Sequence, residues 1–107
     1  MELKITGRHF NVTEALKAYL DEKISRLDKY ARDIIDTHVI LQMEKRNAVV
    51  EVNMRLKRFD VNVKESHSDM YAAIDESFEA LRKQIVRHED KLKAHRYKHK
   101  EEDEEIK

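Results

Sequence analysis

The chain has 107 residues, of which 40% are hydrophobic and 41% are charged, and its 22 basic and 22 acidic side chains give a formal net charge of zero. This length fits one domain, and the apolar share is too high and too periodic for a disordered chain. The chain has no cysteine and only one glycine, Gly7, which excludes disulfides, thiolate metal sites and glycine-rich phosphate loops.

No apolar run approaches the length of a membrane span, and the first residues, "MELKITGR", lack the apolar segment of a signal peptide. We therefore expect a cytoplasmic protein that does not act at a membrane.

The first 30 residues predict a strand followed by a helix. Residues 1–8 alternate apolar Met1, Leu3 and Ile5 with polar residues, which is typical of a half-buried strand. Residues 11–30 change to helical spacing, with Thr13 as the expected N-cap and Glu14 at the positive end of the helix dipole. The apolar stripe of this helix is Leu16, Leu20, Ile24 and Leu27, flanked by Tyr19 and Tyr30.

Three further alternating stretches, residues 36–45, 48–56 and 59–65, predict strands. Their inward residues are Val39, Leu41 and Met43, then Val50, Val52, Met54 and Leu56, then Phe59, Val61 and Val63. A turn at Lys57-Arg58 would place Leu56 opposite Phe59 and Val52 opposite Val63, so that every apolar residue lies on one face. Two-residue turns usually need positive φ, which Lys and Arg disfavour, so a bulged or longer turn stays open.

A long helix follows, with Ser68 or Asp69 as its N-cap. Its apolar stripe is Tyr71, Ile74, Phe78, Leu81, Ile85 and Leu92. The order strand, helix, three strands, helix predicts an α+β sandwich in which two helices cover one face of an antiparallel sheet.

The charges are unevenly distributed along the chain. Residues 82–100 hold eight Lys or Arg against two acidic residues, and residues 101–107, "EEDEEIK", carry a net charge of −4. We expect residues 1–95 to form the folded domain and residues 96–107 to form a flexible, charged tail.

Lys83, Arg87 and Lys91 are spaced four apart on the side of the long helix opposite its apolar stripe. Each neighbouring pair costs roughly 0.2–0.5 kcal/mol by repulsion, which Glu79 could relieve only at Lys83. A polyanion such as RNA would turn this repulsion into attraction, and Lys23, Arg26 and Lys29 could border the same groove from the first helix. The alternative is an ordinary solvated surface favoured by the helix dipole. Tyr97, in the tail, is the one aromatic residue outside the core pattern, so no set of exposed aromatic side chains is predicted on which bases could stack. Recognition of structured RNA by its shape is therefore favoured.

Enzymatic chemistry has little support. His95 and His99 are four apart and His88 lies earlier, but no further ligand stands at a recognisable metal-site spacing. The run "SHSD" at residues 66–69 fits a helix start better than a catalytic triad. We expect no enzyme activity, no cofactor, no metal and no small-molecule substrate.

Several separated segments resemble one family. The segments "ITGR", "VTEALKAYLDEKISRLDKY", "VILQMEK", "DMYAAID" and "LRKQIVRHEDKLK" are together similar to the short bacterial ribosome hibernation promoting factors and their ribosome-associated inhibitor relatives. The resemblance spans about residues 1–95. It implies a β-α-β-β-β-α domain like that of double-stranded-RNA-binding proteins, with a four-stranded sheet and both helices on one face. It also implies a non-catalytic protein that binds the small ribosomal subunit and its rRNA where messenger and transfer RNA would lie, blocking translation in stationary or starved cells and preserving idle ribosomes.

The resemblance carries the family's rRNA-contacting positions to two helices. These positions are Lys23, Arg26, Lys83, Arg87 and Lys91, with Lys29, Arg82, His88 and Lys93 as weaker candidates. The "DMYAAID" segment is interpreted mainly as the capped start of the long helix, in which Tyr71 and Ile74 pack and Ala72 and Ala73 permit close approach.

Two departures from the family pattern leave the mode of action open. Lys57-Arg58 stands where many relatives have an Asn- or Gly-rich turn, and we expect no dimerisation domain of the kind found in long-form factors. A short-form factor that pairs ribosomes would need a separate partner, the ribosome modulation factor, and the region "HEDKLK" favours this branch. The alternatives are a tail-bearing inhibitor of monomeric ribosomes that opposes pairing, a generic double-stranded-RNA module, and a metal-dependent enzyme using His88, His95 and His99.

Overall fold

The computed structural model describes the backbone of residues 1–106 and the side chains of residues 1–94. In chain order the elements are β1 (Glu2–Arg8), α1 (Glu14–Ser25), a 3-10 turn (Asp28–Tyr30), β2 (Ile34–Glu44), β3 (Asn47–Leu56), β4 (Asp60–His67) and α2 (Met70–Ile106). The predicted order of strand, helix, three strands and helix is confirmed. The predicted tail, residues 96–107, lies outside the residues whose side chains are described, so its separation from the domain stays a prediction.

The four strands form one sheet in the order β1-β2-β3-β4. The pairs β2–β3 and β3–β4 are antiparallel, but β1 runs parallel to β2, with Ile5 opposite Val39. The expectation of an antiparallel sheet was therefore wrong at this pair, and the sheet is mixed. A parallel neighbour requires a crossover connection, and α1 supplies it.

Helix α1 begins where the sequence predicted and ends earlier. The Thr13 hydroxyl accepts a hydrogen bond from the backbone N–H of Leu16 at 3.1 Å, which confirms the N-cap. The α-helix ends at Ser25, and the chain continues as a 3-10 turn rather than as helix up to residue 30. Leu27 and Tyr30 nevertheless remain buried, at 5% and 8% exposure, because the 3-10 turn keeps them directed at the core.

The β3–β4 connection has the predicted two-residue register. Met54 pairs with Val61, Val52 pairs with Val63, and the backbone N–H of Leu56 donates to the Phe59 carbonyl at 2.9 Å. Neither turn residue adopts positive φ; within the described backbone, only His9 and Lys45 do so among residues other than glycine. The N–H of Lys57 donates instead to the Asp33 carbonyl at 2.9 Å, so the preceding loop supports the turn.

Asp69 caps α2. Its carboxylate accepts from the N–H of Ala72 at 3.2 Å, and its carbonyl accepts from the N–H of Ala73 at 2.9 Å. The predicted stripe is buried at Ile74, Phe78, Leu81 and Ile85, and half-buried at Leu92. The prediction that Tyr71 belongs to the core stripe was wrong. Its side chain is 38% exposed and packs against Tyr19 of α1 rather than between α2 and the sheet. No described helix is long and apolar enough to span a bilayer.

Both helices pack on the same sheet face and form one apolar cluster with it. Met43 lies on this face as predicted, but it is 46% exposed because it stands near the end of β2. Ile40 and Val49 are buried on the opposite face, at 5% and 4% exposure. The alternating pattern assigned these two positions to the outer side and did not predict their burial.

Gly7 lies where β1 approaches the loop that leads to α1. A Cβ atom at this position would lie 2.1 Å from the Phe10 carbonyl oxygen and 2.9 Å from Cγ2 of Val12. Because the nearest atom belongs to the backbone, a side chain there cannot be accommodated by rotamer changes alone. We predict that Gly7→Ala lowers the free energy of unfolding by about 1–3 kcal/mol, measured by urea denaturation.

The exposed neighbour on the same strand supplies the control for this measurement. Arg8→Ala should change the unfolding free energy by less than about 0.5 kcal/mol. Equal stability of Gly7→Ala and the wild type would show that the loop after β1 is free to move away.

Candidate nucleic-acid interface

Helices α1 and α2 contact each other and enclose a groove that carries charges from both. We call it the inter-helix groove; its lining residues are Lys23, Arg26, Leu27, Asp75, Phe78, Glu79 and Arg82. Three of the nine candidate cations, Lys23, Arg26 and Arg82, thus border one concavity. The prediction that basic residues of the two helices could share a groove is met for these three positions, and whether they contact RNA stays a prediction.

A hydrogen-bonded network at Asp75 connects the two helices. The Asp75 carboxylate accepts from the Tyr19 hydroxyl at 2.5 Å and forms an ion pair with the Lys23 Nζ at 2.8 Å. The Lys23 side chain is only 17% exposed, and its ammonium lies 5.3 Å from the Tyr19 ring centre. The Lys23 that sequence reasoning assigned to RNA is therefore also a structural partner of α2.

Each pKa value in this network shifts in the direction that favours the hydrogen-bonded form of the group. The hydrogen bonds from Lys23 and from Tyr19 lower the pKa of Asp75 because they stabilise its charged form. The same bond to Asp75 raises the pKa of Lys23, and the bond that Tyr19 donates raises the pKa of Tyr19. All three groups thus keep their paired state across the neutral range.

Two exposed candidates are also paired, each within its own helix. Arg26 contacts the Glu22 carboxylate at 2.7 Å, and Arg82 contacts the Glu79 carboxylate at 2.7 Å. The hydrogen bond from Arg82 lowers the pKa of Glu79. Glu79 was expected to relieve Lys83, and the charge of Lys83 does help to lower the pKa of Glu79, but the close ion pair of Glu79 is with Arg82, three residues later. Pairs of this exposed kind contribute little to stability because water screens them, and the cation can exchange its carboxylate for another anion.

Lys83, Arg87 and Lys91 behave differently. We call these three residues the α2 basic face. All three are exposed, and none forms an ion pair with any other residue whose side chain is described. Their placement opposite the buried stripe confirms the helical-wheel prediction. Among the described side chains, the α2 basic face is therefore the part of the candidate interface without a close ion pair. Lys83 nevertheless borders a concavity that also holds Glu65, Asp75, Glu76 and Glu79.

The remaining candidates lie elsewhere. Lys29 follows α1, with its ammonium 5.8 Å from the Tyr30 ring centre. His88 is half-buried and stacks on Phe59, with ring centres 4.6 Å apart and planes inclined by 16°. Lys93 lines a different cavity, near the β3–β4 turn. The structure thus does not bring His88 and Lys93 into the inter-helix groove, and RNA contact by either stays a prediction.

The side chains of His95 and His99 lie outside the described residues. Among the described side chains, no group of three or more His, Asp or Glu is arranged to hold a metal ion. The structure therefore adds nothing in favour of the metal-enzyme alternative.

Sequence reasoning missed two features of this region. Asp75 was part of a quoted motif but was not recognised as the acceptor that joins the helices, because its partners are 52 and 56 residues away. Tyr71 packs edge-to-face on Tyr19, with ring centres 4.9 Å apart and an 80° interplanar angle. A tyrosine in the second turn of α1 and another in the first turn of α2 were the available signal, but only the tertiary structure shows that the two rings meet.

Comparison with known proteins gives consistent results. The family described as "Sigma 54 modulation protein / S30EA ribosomal protein" matches residues 3–93. The chain is 35% identical over 95 residues to the ribosome hibernation promoting factor of Salmonella typhimurium, which covers 89% of this chain and 100% of that protein. It is 36% identical over 91 residues to the protein of the same name from Azotobacter vinelandii, covering 85% of each.

Solved structures share the fold. A ribosomal subunit interface protein from Coxiella burnetii superimposes with a TM-score of 0.80 at 23% identity, covering 84% of this chain and 99% of that one. The N-terminal domain of Thermus thermophilus Protein Y superimposes with a TM-score of 0.75 at 32% identity, covering 82% and 99% respectively. The predicted class, a four-stranded sheet with two helices, is thereby confirmed.

The Asp75 network generates a prediction for stability and its pH dependence. Asp75→Asn removes the ion pair with Lys23 and weakens the acceptor for Tyr19, which should cost about 1 kcal/mol at most, since Asp75 is half exposed. Because the folded-state pKa of Asp75 lies below its ordinary 3.8, this contribution is complete above about pH 4 and is lost as the pH falls through the folded value. Urea denaturation at pH 7 and at pH 3 should therefore show a difference that shrinks at the lower pH.

Asp21→Asn is the matched control, since Asp21 is an exposed residue of α1. It should leave the stability almost unchanged at both pH values. An Asp75→Asn effect that is equal at pH 7 and pH 3 would show that the carboxylate charge does not stabilise the helix pair.

Proposed function

This chain belongs to the family described as sigma 54 modulation protein / S30EA ribosomal protein, and we propose that it is a ribosome hibernation factor. In this proposal it binds the small ribosomal subunit through its two helices, blocks translation there, and preserves inactive ribosomes. The protein acts as a non-catalytic ligand of rRNA in the cytoplasm.

The names of its relatives support the hibernation role. Proteins called ribosome hibernation promoting factor align with most of this chain at 35–36% identity. The Salmonella relative is covered along its full length, so the similarity is not confined to one motif of a larger protein.

The single observation that carries the RNA-binding part is the α2 basic face. Its three exposed cations have no carboxylate partner among the described side chains, and they follow one side of a rigid helix. A phosphate backbone would replace their mutual repulsion with attraction and would release counterions. A rigid row of cations suits RNA whose phosphates already have a fixed arrangement, as in the small subunit.

The inter-helix groove extends this surface. Arg26 and Arg82 are held by exposed carboxylates that incoming phosphates can replace, and Lys23 is held at Asp75. We infer that Arg26 and Arg82 exchange partners on binding, whereas Lys23 contributes mainly by fixing α1 against α2. The bound position would be the channel where messenger and transfer RNA lie, as the resemblance implies.

Ribosome pairing with a separate modulation factor is the finer part of the proposal. The alignment covers 85% of the Azotobacter relative, which therefore also has residues outside the aligned region. The Salmonella protein is aligned along its full length, and both relatives carry the same name. A protein with residues outside the aligned region can thus carry the name hibernation promoting factor. We propose the pairing role over the opposing role of a tail-bearing inhibitor.

We predict that reversing the α2 basic face with Lys83→Glu, Arg87→Glu and Lys91→Glu weakens binding to small ribosomal subunits on the order of 100-fold. The reason is the loss of three phosphate contacts together with new repulsion. Binding would be measured by co-sedimentation with purified subunits over a range of salt concentrations. The slope of log affinity against log salt should fall by about 2–3.

The matched control reverses Lys4, Arg46 and Lys64, which carry the same three charges but lie away from both helices. It should bind within a few-fold of the wild type. Equal binding by the two triple variants would remove the α2 basic face from the interface. Efficient competition by a plain RNA duplex would favour the generic double-stranded-RNA module instead.

We further predict that this protein shifts ribosomes into paired particles only when the ribosome modulation factor is also present. Sucrose-gradient profiles of ribosomes with each protein alone and with both together would measure this. Silenced but unpaired ribosomes in the combined sample would support the inhibitor alternative.

A further inference from the structure

A cavity of about 170 Å³ lies on the molecule where the distal part of α2 crosses the end of the sheet. We call it the hairpin cavity; its lining residues are Asp33, Leu56, Arg58, Phe59, Glu89, Leu92 and Lys93. They come from the loop before β2, from the β3–β4 hairpin and from α2. No residue of the α2 basic face lines it, and neither do Tyr19, Tyr71 and Asp75, which join the two helices.

The apolar part of the lining is held firmly in place. Leu56 is 3% exposed, and Phe59 and Leu92 are half-buried at the margin of the core. The His88 ring stacks on the Phe59 ring, and the Leu56 N–H donates to the Phe59 carbonyl. These contacts fix an apolar surface that exists before any ligand arrives.

The charged part of the lining carries two groups of each sign. Asp33 and Glu89 are acidic, whereas Arg58 and Lys93 are basic. Four such side chains could form ion pairs with one another, although Asp33, Arg58 and Lys93 are exposed to solvent. None does so within 4.0 Å among the side chains that the structure describes. Their donors and acceptors therefore remain available to a ligand.

We propose that the hairpin cavity binds a free α-amino acid with an apolar side chain. Its carboxylate would contact Arg58 or Lys93, its ammonium group would contact Asp33 or Glu89, and its side chain would cover Leu56, Phe59 and Leu92. A cavity of roughly 150 Å³ is large enough for benzene, so this one has room for the four-carbon side chain of leucine but not for a large cofactor. A ligand with one charge would leave both lining groups of one sign without a partner.

The occupied cavity would connect the β3–β4 turn to α2 at the point where that helix leaves the sheet. A bound ligand would therefore stabilise the last described turns of α2 against local opening. This effect does not require ribosome binding, so the inference stands apart from the proposed function.

The test titrates the intact protein with L-leucine and follows backbone amide chemical shifts. We expect saturable shifts at residues 56–59 and 89–93 with a dissociation constant of about 0.1–10 mM, the range for so small a ligand. Two analogues provide the comparison: 4-methylpentanoate lacks the ammonium group and 3-methylbutylamine lacks the carboxylate. Each should bind at least about tenfold more weakly. Equal binding by either analogue, or the absence of saturable shifts with leucine, would overturn the proposal.

Two variants locate the binding site. Arg58→Gln and Glu89→Gln should each weaken leucine binding at least about fivefold, whereas Arg46→Gln, in the β2–β3 turn at the other end of β3, should not. Circular dichroism and the thermal midpoint without ligand establish that each variant is folded. Leucine binding that is unchanged in both cavity variants would place any bound amino acid elsewhere and refute the assignment.

Discussion

Burial of one sheet face beneath two helices fixes the direction of every charged side chain on those helices. Leu20 and Ile24 of α1, and Ile74, Leu81 and Ile85 of α2, share one apolar cluster with the sheet. Once these residues are buried, neither helix can rotate without exposing apolar surface, at roughly 25 cal/mol for each Å². The outward positions, including the α2 basic face, are therefore held by the core and not by their own interactions.

A chain without net charge can still present a cationic surface, because ion pairing is selective. Glu22, Asp75 and Glu79 neutralise cations beside or between the helices, while Lys83, Arg87 and Lys91 have no such partner among the described side chains. The paired cations line the inter-helix groove, and one of them, Lys23, joins α1 to α2 through Asp75. The unpaired row gives the long-range attraction that a polyanion responds to. This division separates the residues that hold the helices together from those that we propose for rRNA binding.

The two ends of α2 serve different purposes in this arrangement. Its first turns contact α1 through Tyr71 and Asp75, whereas its distal part covers the β3–β4 hairpin and encloses the hairpin cavity. His88 and Lys93, which charge pattern grouped with the RNA-binding set, face this second environment. Family membership therefore accounts for the fold and the general role, but the chemistry of the hairpin end follows from this chain's own side chains.

The sequence alone determined the order of elements, the Thr13 cap of α1 and the exposure of the α2 basic face, because each depends on local periodicity or on neighbouring residues. It left the cap of α2 between Ser68 and Asp69, and it gave the β3–β4 register only on the condition of a two-residue turn. It did not determine the parallel pairing of β1, the burial of Ile40 and Val49, or the end of α1 at Ser25. The pairing of β1 depends on which strand lies beside which, and no local pattern in the sequence marks the change from α-helix to 3-10 turn after Ser25. The tertiary structure alone decided that Asp75 joins Tyr19 and Lys23 and that Phe59 meets His88. Contacts between residues dozens of positions apart leave no periodic signal in a single sequence, since only the closed core brings them together.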